Sequence, residues 1–282
     1  MRSRRFTGYW LILPGAIWLG IFFVIPFYSL IATSLYDPNG SVLTGYHVTY
    51  HFANFVDVVR QYHGELLRSL WYAGLATLIC LILGYVLAYA IAFKAGRWRA
   101  LLLVLVIAPF FTSFLLRTLS WKLILSDHGF VVTALQHLHV LGSEGRLLNT
   151  WFAVVAGLVY NFLPFMVLPL YASLEKIDDR LVEAASDLYA SPAKAFFKVT
   201  WPLSLPGVVA GTLLTFIPAA GDYINAQLLG SPTGRMVGNV IESLFTSTND
   251  YAAAGALSVI LMVVIVAMVL TYIRKVGTEE LL

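Results

Sequence analysis

The sequence predicts an all-α integral membrane protein with six transmembrane helices. Hydrophobic residues make up 59% of the 282 residues and charged residues only 12%, whereas a soluble domain carries about 25% charged residues. A mean hydropathy of +0.80 agrees with this composition. Six apolar runs reach the length of about 20 residues that a helix needs to cross a bilayer. The net charge of +3 does not indicate nucleic-acid binding, and a single cysteine, Cys80, excludes an internal disulfide.

The predicted spans follow these apolar runs and make residues 1–282 a single polytopic domain. They cover approximately residues 9–35, 66–93, 100–125, 150–174, 204–229 and 251–273. The first run follows Arg2, Arg4 and Arg5 and could be mistaken for a signal peptide. It is longer than the roughly 7–15 residues of a signal-peptide core and lacks a clear cleavage site, so we interpret it as a spanning helix.

The distribution of lysine and arginine predicts the orientation. One side of the predicted membrane carries twelve of these residues: Arg2, Arg4, Arg5, Lys94, Arg97, Arg99, Lys176, Arg180, Lys194, Lys198, Arg274 and Lys275. The other side carries six: Arg60, Arg68, Arg117, Lys122, Arg146 and Arg235. Because cytoplasmic loops are enriched in positive charge, both termini and the loop at residues 175–203 are expected in the cytoplasm.

The histidines all lie in the first two predicted outer loops, while the third, residues 230–250, has none. Two pairs are close in sequence, His47 with His51 and His137 with His139. Histidine pairs at such spacing can ligate a metal ion. Neither cysteine nor a nearby acidic cluster completes a site here, so we expect solvated histidines and no metal centre.

Residues 175–203 are rich in charge although they lie between two apolar spans, and they are predicted to form an aqueous loop with two short helices. Asp178 is a favourable N-cap for the first helix. Ser191 followed by Pro192 is a typical start for the second. Pro202 is predicted to end this second helix, because proline lacks an N–H group and disfavours a helical conformation in the preceding residue.

The second helix of this loop presents aromatic side chains that require cover. Helical spacing places Phe196 with Val199 on one face, and Phe197 with Trp201 on another. These faces could fold back onto the membrane surface or dock into a groove of a soluble partner. The residue pattern alone leaves both alternatives open.

Several segments resemble those of the membrane subunits of ABC-type importers. Glu183-Ala184-Ala185, position 189 and residues 199–202 resemble the EAA loop of that family, with Tyr189 where the family has glycine. Tyrosine tolerates a positive φ poorly, so the turn at this position departs from the motif. Residues 163–179 and 109–121 resemble the B-type permease branch of spermidine/putrescine importers.

This resemblance implies a type I ABC importer (MetI-like) permease fold with cytoplasmic coupling helices that sit in a cleft of the ATPase. It implies a heterodimer with a second homologous permease, two cytoplasmic ATPase subunits, an extracytoplasmic solute-binding protein and a place in the bacterial inner membrane. The implied cargo is a polyamine; a sugar, an amino acid or an iron chelate is the alternative within the same machinery. The implied coupling residues are Glu183, Ala184, Ala185, Asp187, Pro192, Phe196, Phe197 and Pro202.

The sequence contains no recognisable motif for catalysis. It lacks a phosphate-binding P-loop, a nucleophile elbow and a metalloprotease helix. We therefore expect a non-enzymatic permease with no cofactor of its own, and ATP and Mg on the partner ATPase subunits. A carrier or channel that needs no ATPase remains an alternative of a different class.

The fifth span contains Pro218, Gly221 and Asp222 within five residues. Proline removes a helical hydrogen bond and glycine loosens the helix, so the backbone is expected to bend or break. An ionisable residue at this depth is a functional candidate because lipid exposure is costly; the alternative is that Asp222 only caps the next half-helix. An aspartate beside Tyr223 would suit the ammonium groups of a polyamine. The substrate-path candidates are Asp222, Tyr223 and Asn225, and more weakly Glu242, Trp121, Tyr160 and Asn161.

Arg117 and Lys122 are cations near the outer end of the third predicted span. Positive charge is unfavourable along a path for polycations. We expect both side chains to extend outward to the interface or to pair with an acidic residue of a docked protein.

Overall fold

The computed structural model describes residues 3–41, 43–142 and 145–276, which fold into helices joined by turns and two isolated β-bridges. The helices are α1 (3–34), α2 (Ala53–Phe93), α3 (Arg99–Ile107), α4 (Phe114–Ile124), α5 (Phe130–His137), α6 (Trp151–Leu174), α7 (Asp179–Asp187), α8 (Pro192–Ala220), α9 (Ile224–Leu229), α10 (Val237–Thr246) and α11 (Tyr251–Val276). The predicted all-α class is confirmed. Arg2, one of the residues used to predict the orientation, lies outside the described residues.

Five described helices are long and apolar enough to cross a membrane, and the third predicted span adds a sixth crossing if its two halves are counted together. This span is not one straight helix, because α4 is bent by 93° from the segment Gly96–Phe111. Thr112 and Ser113 between the two halves have extended backbone, with ψ of 152° and 138°. Pro109 lies in the 3₁₀ turn before them and cannot donate a backbone hydrogen bond.

The prediction that Pro202 ends the second loop helix is wrong, because α8 continues from the loop into the fifth span. A π-helical turn at Phe196–Thr200 joins the two parts, and the N–H of Trp201 donates to the Phe196 carbonyl five residues back. Pro202 follows where the hydrogen-bond register changes from five residues to four, so its missing N–H costs the helix little. The helix then ends at Ala220, and Gly221 begins the break that Pro218 and Gly221 predict.

Polar helices occupy much of the predicted outer loops. Residues 53–65 belong to α2, which kinks at Tyr62 and runs on to Phe93. Helix α10 lies within the predicted loop of residues 230–250. Neither segment is long and apolar enough by itself to be recognised as a span, although α10 is strongly amphipathic.

The chain divides into two compact units. The first consists of residues 1–63 and 240–264. In this unit, Asn54 donates to the carbonyls of Ser34 and Tyr36 at 3.1 and 2.9 Å, which fixes the end of α1. A side chain at Gly255 would meet the Ser34 backbone nitrogen at 2.7 Å, so glycine allows α11 to approach α1 closely here.

The second unit consists of residues 64–239 and 265–282 and is built on the packing of α6 against α8. Gly207 and Gly211 lie one helical turn apart on α8, and both face α6. A Cβ at Gly207 would lie 2.7 Å from the Pro169 carbonyl oxygen, and one at Gly211 would lie 2.7 Å from Met166 Sδ. Small residues at this spacing let two membrane helices approach at backbone distance.

Candidate functional site

The charged loop between α6 and α8 forms a folded elbow, residues 175–203, that contains α7 and the first turns of α8. Its two predicted N-caps are confirmed. Asp178 Oδ1 accepts the Arg180 N–H at 3.0 Å, and Ser191 Oγ accepts the Lys194 N–H at 3.4 Å. The elbow begins at an ion pair in which Arg99 Nη1 lies 2.9 Å from Glu175 Oε1.

An aromatic cluster holds the elbow to the helices behind it. The Phe196 ring lies 5.7 Å from Tyr85 and 6.0 Å from Tyr89, between ring centroids. Trp201 lies 5.2 Å from Tyr85 in the same cluster. The prediction that Trp201 shares a face with Phe197 is wrong, because the π turn places Trp201 beneath Phe196, five residues earlier. Phe196 is therefore an anchor of the elbow.

Phe197 meets Phe196 edge to face at the border of this cluster, with 5.1 Å between ring centroids, but it is 66% exposed. The adjacent positions Glu183, Ala184, Asp187, Pro192 and Pro202 are exposed as well, whereas Ala185 and Phe196 are partly buried. Six of the eight predicted coupling residues thus lie on the open surface of the elbow. An exposed aromatic ring on a charged elbow is typical of a docking surface for another protein.

Tyr189 occupies the left-handed conformation that glycine adopts most readily, with a φ of 58°. It follows α7 in a Schellman motif, in which the Ala190 N–H donates to Ala185 O at 3.0 Å and the Tyr189 N–H donates to Ser186 O at 2.9 Å. The side chain is 98% exposed, so no packing of this chain compensates for the backbone strain. The turn after α7 is therefore formed with an unfavourable residue at its left-handed position.

We expect Tyr189→Gly to stabilise this turn by about 1 kcal/mol, because glycine has no Cβ that disfavours positive φ. Hydrogen–deuterium exchange should show amide exchange of Ala190 slowed by about fivefold on that estimate. Tyr189→Ala is the matched control, because alanine keeps the Cβ and the strain. Equal protection in the alanine and glycine variants would contradict the strain argument.

A second site lies at the break between α8 and α9. Asp222 is 8% exposed, and its Oδ1 accepts the Asn225 N–H at 2.8 Å, so the carboxylate caps α9. The start of α10 packs closely on this break: a Cβ at Gly238 would lie 2.6 Å from the Gly221 carbonyl oxygen. Asn239 Nδ2 donates to the Tyr223 carbonyl at 2.7 Å and closes the contact. The break is therefore fixed by hydrogen bonds.

A buried polar group lies behind the break. Asn161 Nδ2 donates to Asn225 Oδ1 at 3.1 Å, and both residues are almost fully buried. Thr118 approaches the same oxygen at 3.4 Å. The structure thus joins Asp222, Asn225 and Asn161, three of the predicted path residues, through one hydrogen-bond chain. No pattern in the sequence indicates that Thr118 joins this chain or that Asn239 binds the Tyr223 carbonyl beside it.

A cleft of about 390 Å³ opens beside this group, and two more of the predicted path residues line it. Trp121 and Tyr160 meet there edge to face, with 5.4 Å between ring centroids. Their cleft is shared with Arg117, which is 8% exposed. The expected outward extension of Arg117 is therefore wrong, whereas Lys122 is exposed.

Glu242, the last of the predicted path residues, belongs to the other compact unit, where its carboxylate accepts the Thr246 hydroxyl at 3.0 Å.

Metal ligation finds no support among the residues that the structure describes, which contain no group of three or more histidine, cysteine or acidic side chains suited to a metal ion. The histidine pairs of the outer loops lie within this described part of the chain.

Comparisons with known proteins identify relatives over nearly the whole chain. Residues 81–276 match the family described as binding-protein-dependent transport system inner membrane component. The chain is 38% identical to the spermidine/putrescine transport system permease protein PotB of Haemophilus influenzae, covering 91% of this chain and 90% of that one. It is 39% identical to PotB of Escherichia coli K12, covering 91% and 93% of the two chains.

Among solved structures, the fold is similar to a bacterial ABC transporter involved in the import of the acidic polysaccharide alginate. The TM-score is 0.74 with 19% identity, covering 97% of this chain and 96% of that chain. An amino acid ABC transporter matches with a TM-score of 0.51 and 17% identity, covering 81% and 97%. At these identities the likeness concerns the fold.

Proposed function

This chain belongs to the family of binding-protein-dependent transport system inner membrane components, the permease subunits of ABC importers, and we propose on that premise that its cargo is a polyamine such as spermidine or putrescine. The chain is a multi-pass protein of the inner membrane. The observation that supports a polyamine as the cargo is the 38–39% identity to spermidine/putrescine permeases over 91% of the chain. Identity at this level over full length favours a retained solute class.

The subunit works with a second homologous permease, two cytoplasmic ATPase subunits that bind ATP and Mg, and an extracytoplasmic solute-binding protein. The exposed side of the elbow, with Phe197 and Glu183, is the surface that the ATPase holds. Both termini and the elbow face the cytoplasm. The ion pair of Arg99 with Glu175 supports this arrangement, since it brings two predicted cytoplasmic loops together.

The mechanism is alternating access driven by the ATPase. Closure of the ATPase pair moves the elbow, and because α8 is continuous from Pro192 to Ala220, that movement reaches the break at Gly221 along a single helix. The aromatic anchor of Phe196 on Tyr85 carries the same movement to α2. The permease itself makes and breaks no covalent bond.

Transport is tested by reconstituting the complete complex in proteoliposomes. With ATP inside and the loaded binding protein outside, labelled putrescine or spermidine should accumulate, and without ATP it should not. Accumulation that needs no nucleotide would identify a carrier or channel. ATP-driven accumulation of a sugar or an amino acid, with no competition from polyamines, would contradict the proposal that the cargo is a polyamine.

We expect Asp222→Asn to assemble normally but to lose polyamine uptake by at least about tenfold, because asparagine keeps an oxygen for the Asn225 N–H and loses the charge. Asp222→Ala should in addition lower the stability of the complex by about 1 kcal/mol through loss of the cap. Uptake and the melting temperature of the complex separate these effects. Wild-type uptake by the asparagine variant would reduce Asp222 to a helix cap.

A further inference from the structure

Among the described residues, the guanidinium of Arg117 is buried without a counterion. The N–H groups of its Nε and Nη1 atoms are inaccessible and donate to no hydrogen-bond partner in this part of the chain. The described ion pairs are Arg99 with Glu175 and Arg146 with Asp127, and neither involves Arg117. A buried charge without a partner is strongly unfavourable, so a partner beyond the described residues is needed.

Aromatic packing fixes the direction of this side chain. The guanidinium carbon lies 5.1 Å from the Phe110 ring and 5.6 Å from the Phe114 ring. These two rings pack in turn against Phe165 and Phe162 of α6. Cation–π contacts of this kind offset part of the free-energy cost of desolvating the guanidinium, but they give its N–H groups no hydrogen-bond acceptor. Arg117 is thus held in one orientation before anything binds it.

Arg117 lines the cleft of about 390 Å³ described above, where Thr112, Ser120 and Tyr160 also contribute to the lining. A planar fork of guanidinium donors matches a carboxylate, which it can bind through two parallel hydrogen bonds. The rest of the wall is aromatic or aliphatic, so a carboxylate entering the cleft would lose most of its water. Such a site selects an anion that is brought in by a larger apolar surface.

The surroundings of the cleft indicate which protein supplies that surface. Helix α4 exposes Leu115, Leu116 and Leu123, the last at 73%, on either side of Arg117 along the chain. A water-soluble protein would not meet a surface of this composition, whereas another membrane subunit would.

We propose that the Arg117 cleft receives a carboxylate side chain of the second permease, so that a charge pair buried in the membrane joins the two subunits. This inference rests on the proposed function, which includes that second permease. The pair also removes a free cation from the neighbourhood of the transport path, which a polycationic cargo would otherwise meet. Arg117 is a positioning residue for assembly and does not contact the cargo.

The test compares the isolated full-length chain with the chain co-expressed with the second permease, using Arg117→Met. In the isolated chain this variant should raise the melting temperature, because it removes an uncompensated buried charge. In the pair it should weaken association by about 30-fold or more, because the partner carboxylate then lacks its counterion. Association is measured by co-purification and by subunit exchange in detergent, which require neither cargo nor ATP.

Two controls sharpen the result. Lys122→Met removes an exposed cation from the same helix and should change neither measurement. Neutralising the carboxylates of the second permease one at a time should reveal one variant whose effect on association does not add to that of Arg117→Met.

The proposal is overturned if Arg117→Met associates as the wild type does, or if every carboxylate variant is additive with it. It is overturned as well if association is unchanged and only uptake is lost, because the cleft would then bind an anionic cargo or a free anion. If the wild-type complex does not take up polyamines but the association results are as expected, the proposed cargo is wrong and the proposed Arg117 site is still supported. Failure of the wild-type chain to associate with any second permease would refute both.

Discussion

Phe197→Ala is expected to abolish ATP-driven uptake while the permease remains folded in the membrane. The ring is 66% exposed, so its removal costs this chain little packing beyond the edge contact with Phe196. At a protein interface, however, a central aromatic side chain contributes about 2–4 kcal/mol to binding. ATPase association should therefore weaken by roughly 30-fold or more, and further when Glu183→Ala is added. Co-purification of the ATPase and uptake in proteoliposomes measure the two effects.

Phe196→Ala is the matched control, one residue away on the same helix. This ring packs against Tyr85 and Tyr89, so its loss should lower the melting temperature of the isolated chain, unlike that of Phe197. If Phe197→Ala together with Glu183→Ala leaves ATPase association and uptake intact, the exposed side of the elbow is not the coupling surface.

Gly207→Val is expected to prevent α6 and α8 from packing. The added Cβ would lie 2.6 Å from Ser173 Cβ and 2.7 Å from the Pro169 carbonyl oxygen. The second of these is backbone inside a helix, which cannot move away without separating the two helices. We expect a loss of about 2–3 kcal/mol or more, enough to remove most monodisperse protein from detergent extracts. Fluorescence-detected size-exclusion chromatography with a thermal series measures this loss.

Gly74→Val serves as the control for Gly207→Val, because a Cβ at Gly74 meets no atom within 4 Å. Both changes introduce a β-branched residue into a membrane helix, and they differ only in the space around it. Equal recovery of the two variants would show that the approach of α6 to α8 at Gly207 is not needed for the fold.

The local part of the structure could be predicted from the sequence because its signals are local. N-capping at Asp178 and Ser191 depends on a side chain and an N–H group two or three residues away. The break after Ala220 follows from Pro218 and Gly221 in the same helix. Apolar length alone indicates the spans, since lipid requires it regardless of what each helix contacts.

The remaining features depend on contacts between distant segments. The π turn at Phe196–Thr200 shifts the aromatic faces by one position, and no residue pattern distinguishes it from a regular helix. The helix of residues 53–65 is too polar to be recognised by hydropathy. Arg117 was expected at the surface because an arginine near a helix end normally reaches water; here Phe110, beyond the 93° bend, covers it.

The grouping of the path residues also depends on contacts between distant segments. Trp121 and Tyr160 are 39 positions apart, and only the packing of α4 on α6 brings them into one cleft. Asn161 and Asn225 meet in the same way. Residue type made each of them a candidate, but their partners, Thr118 and Asn239, could be found only from the fold.

Labelling of single cysteines measures whether residues 175–203 face the cytoplasm and are held by a separate ATPase. Cys80 is the single cysteine and is fully buried, so Cys80→Ala provides a background without thiols. Ala193→Cys in that background places one thiol on the exposed side of the elbow and leaves Phe197 in place. Tyr50→Cys, at a residue 68% exposed in a predicted outer loop, places one on the opposite side.

A membrane-impermeant maleimide should label the Ala193→Cys thiol only in inside-out vesicles and the Tyr50→Cys thiol only in right-side-out vesicles. In the assembled complex, a short bifunctional reagent should link the thiol at position 193 to the ATPase subunit. Labelling of position 193 from outside the cell, or a complex in which it links to no other subunit, would show that the elbow is not held by a cytoplasmic ATPase.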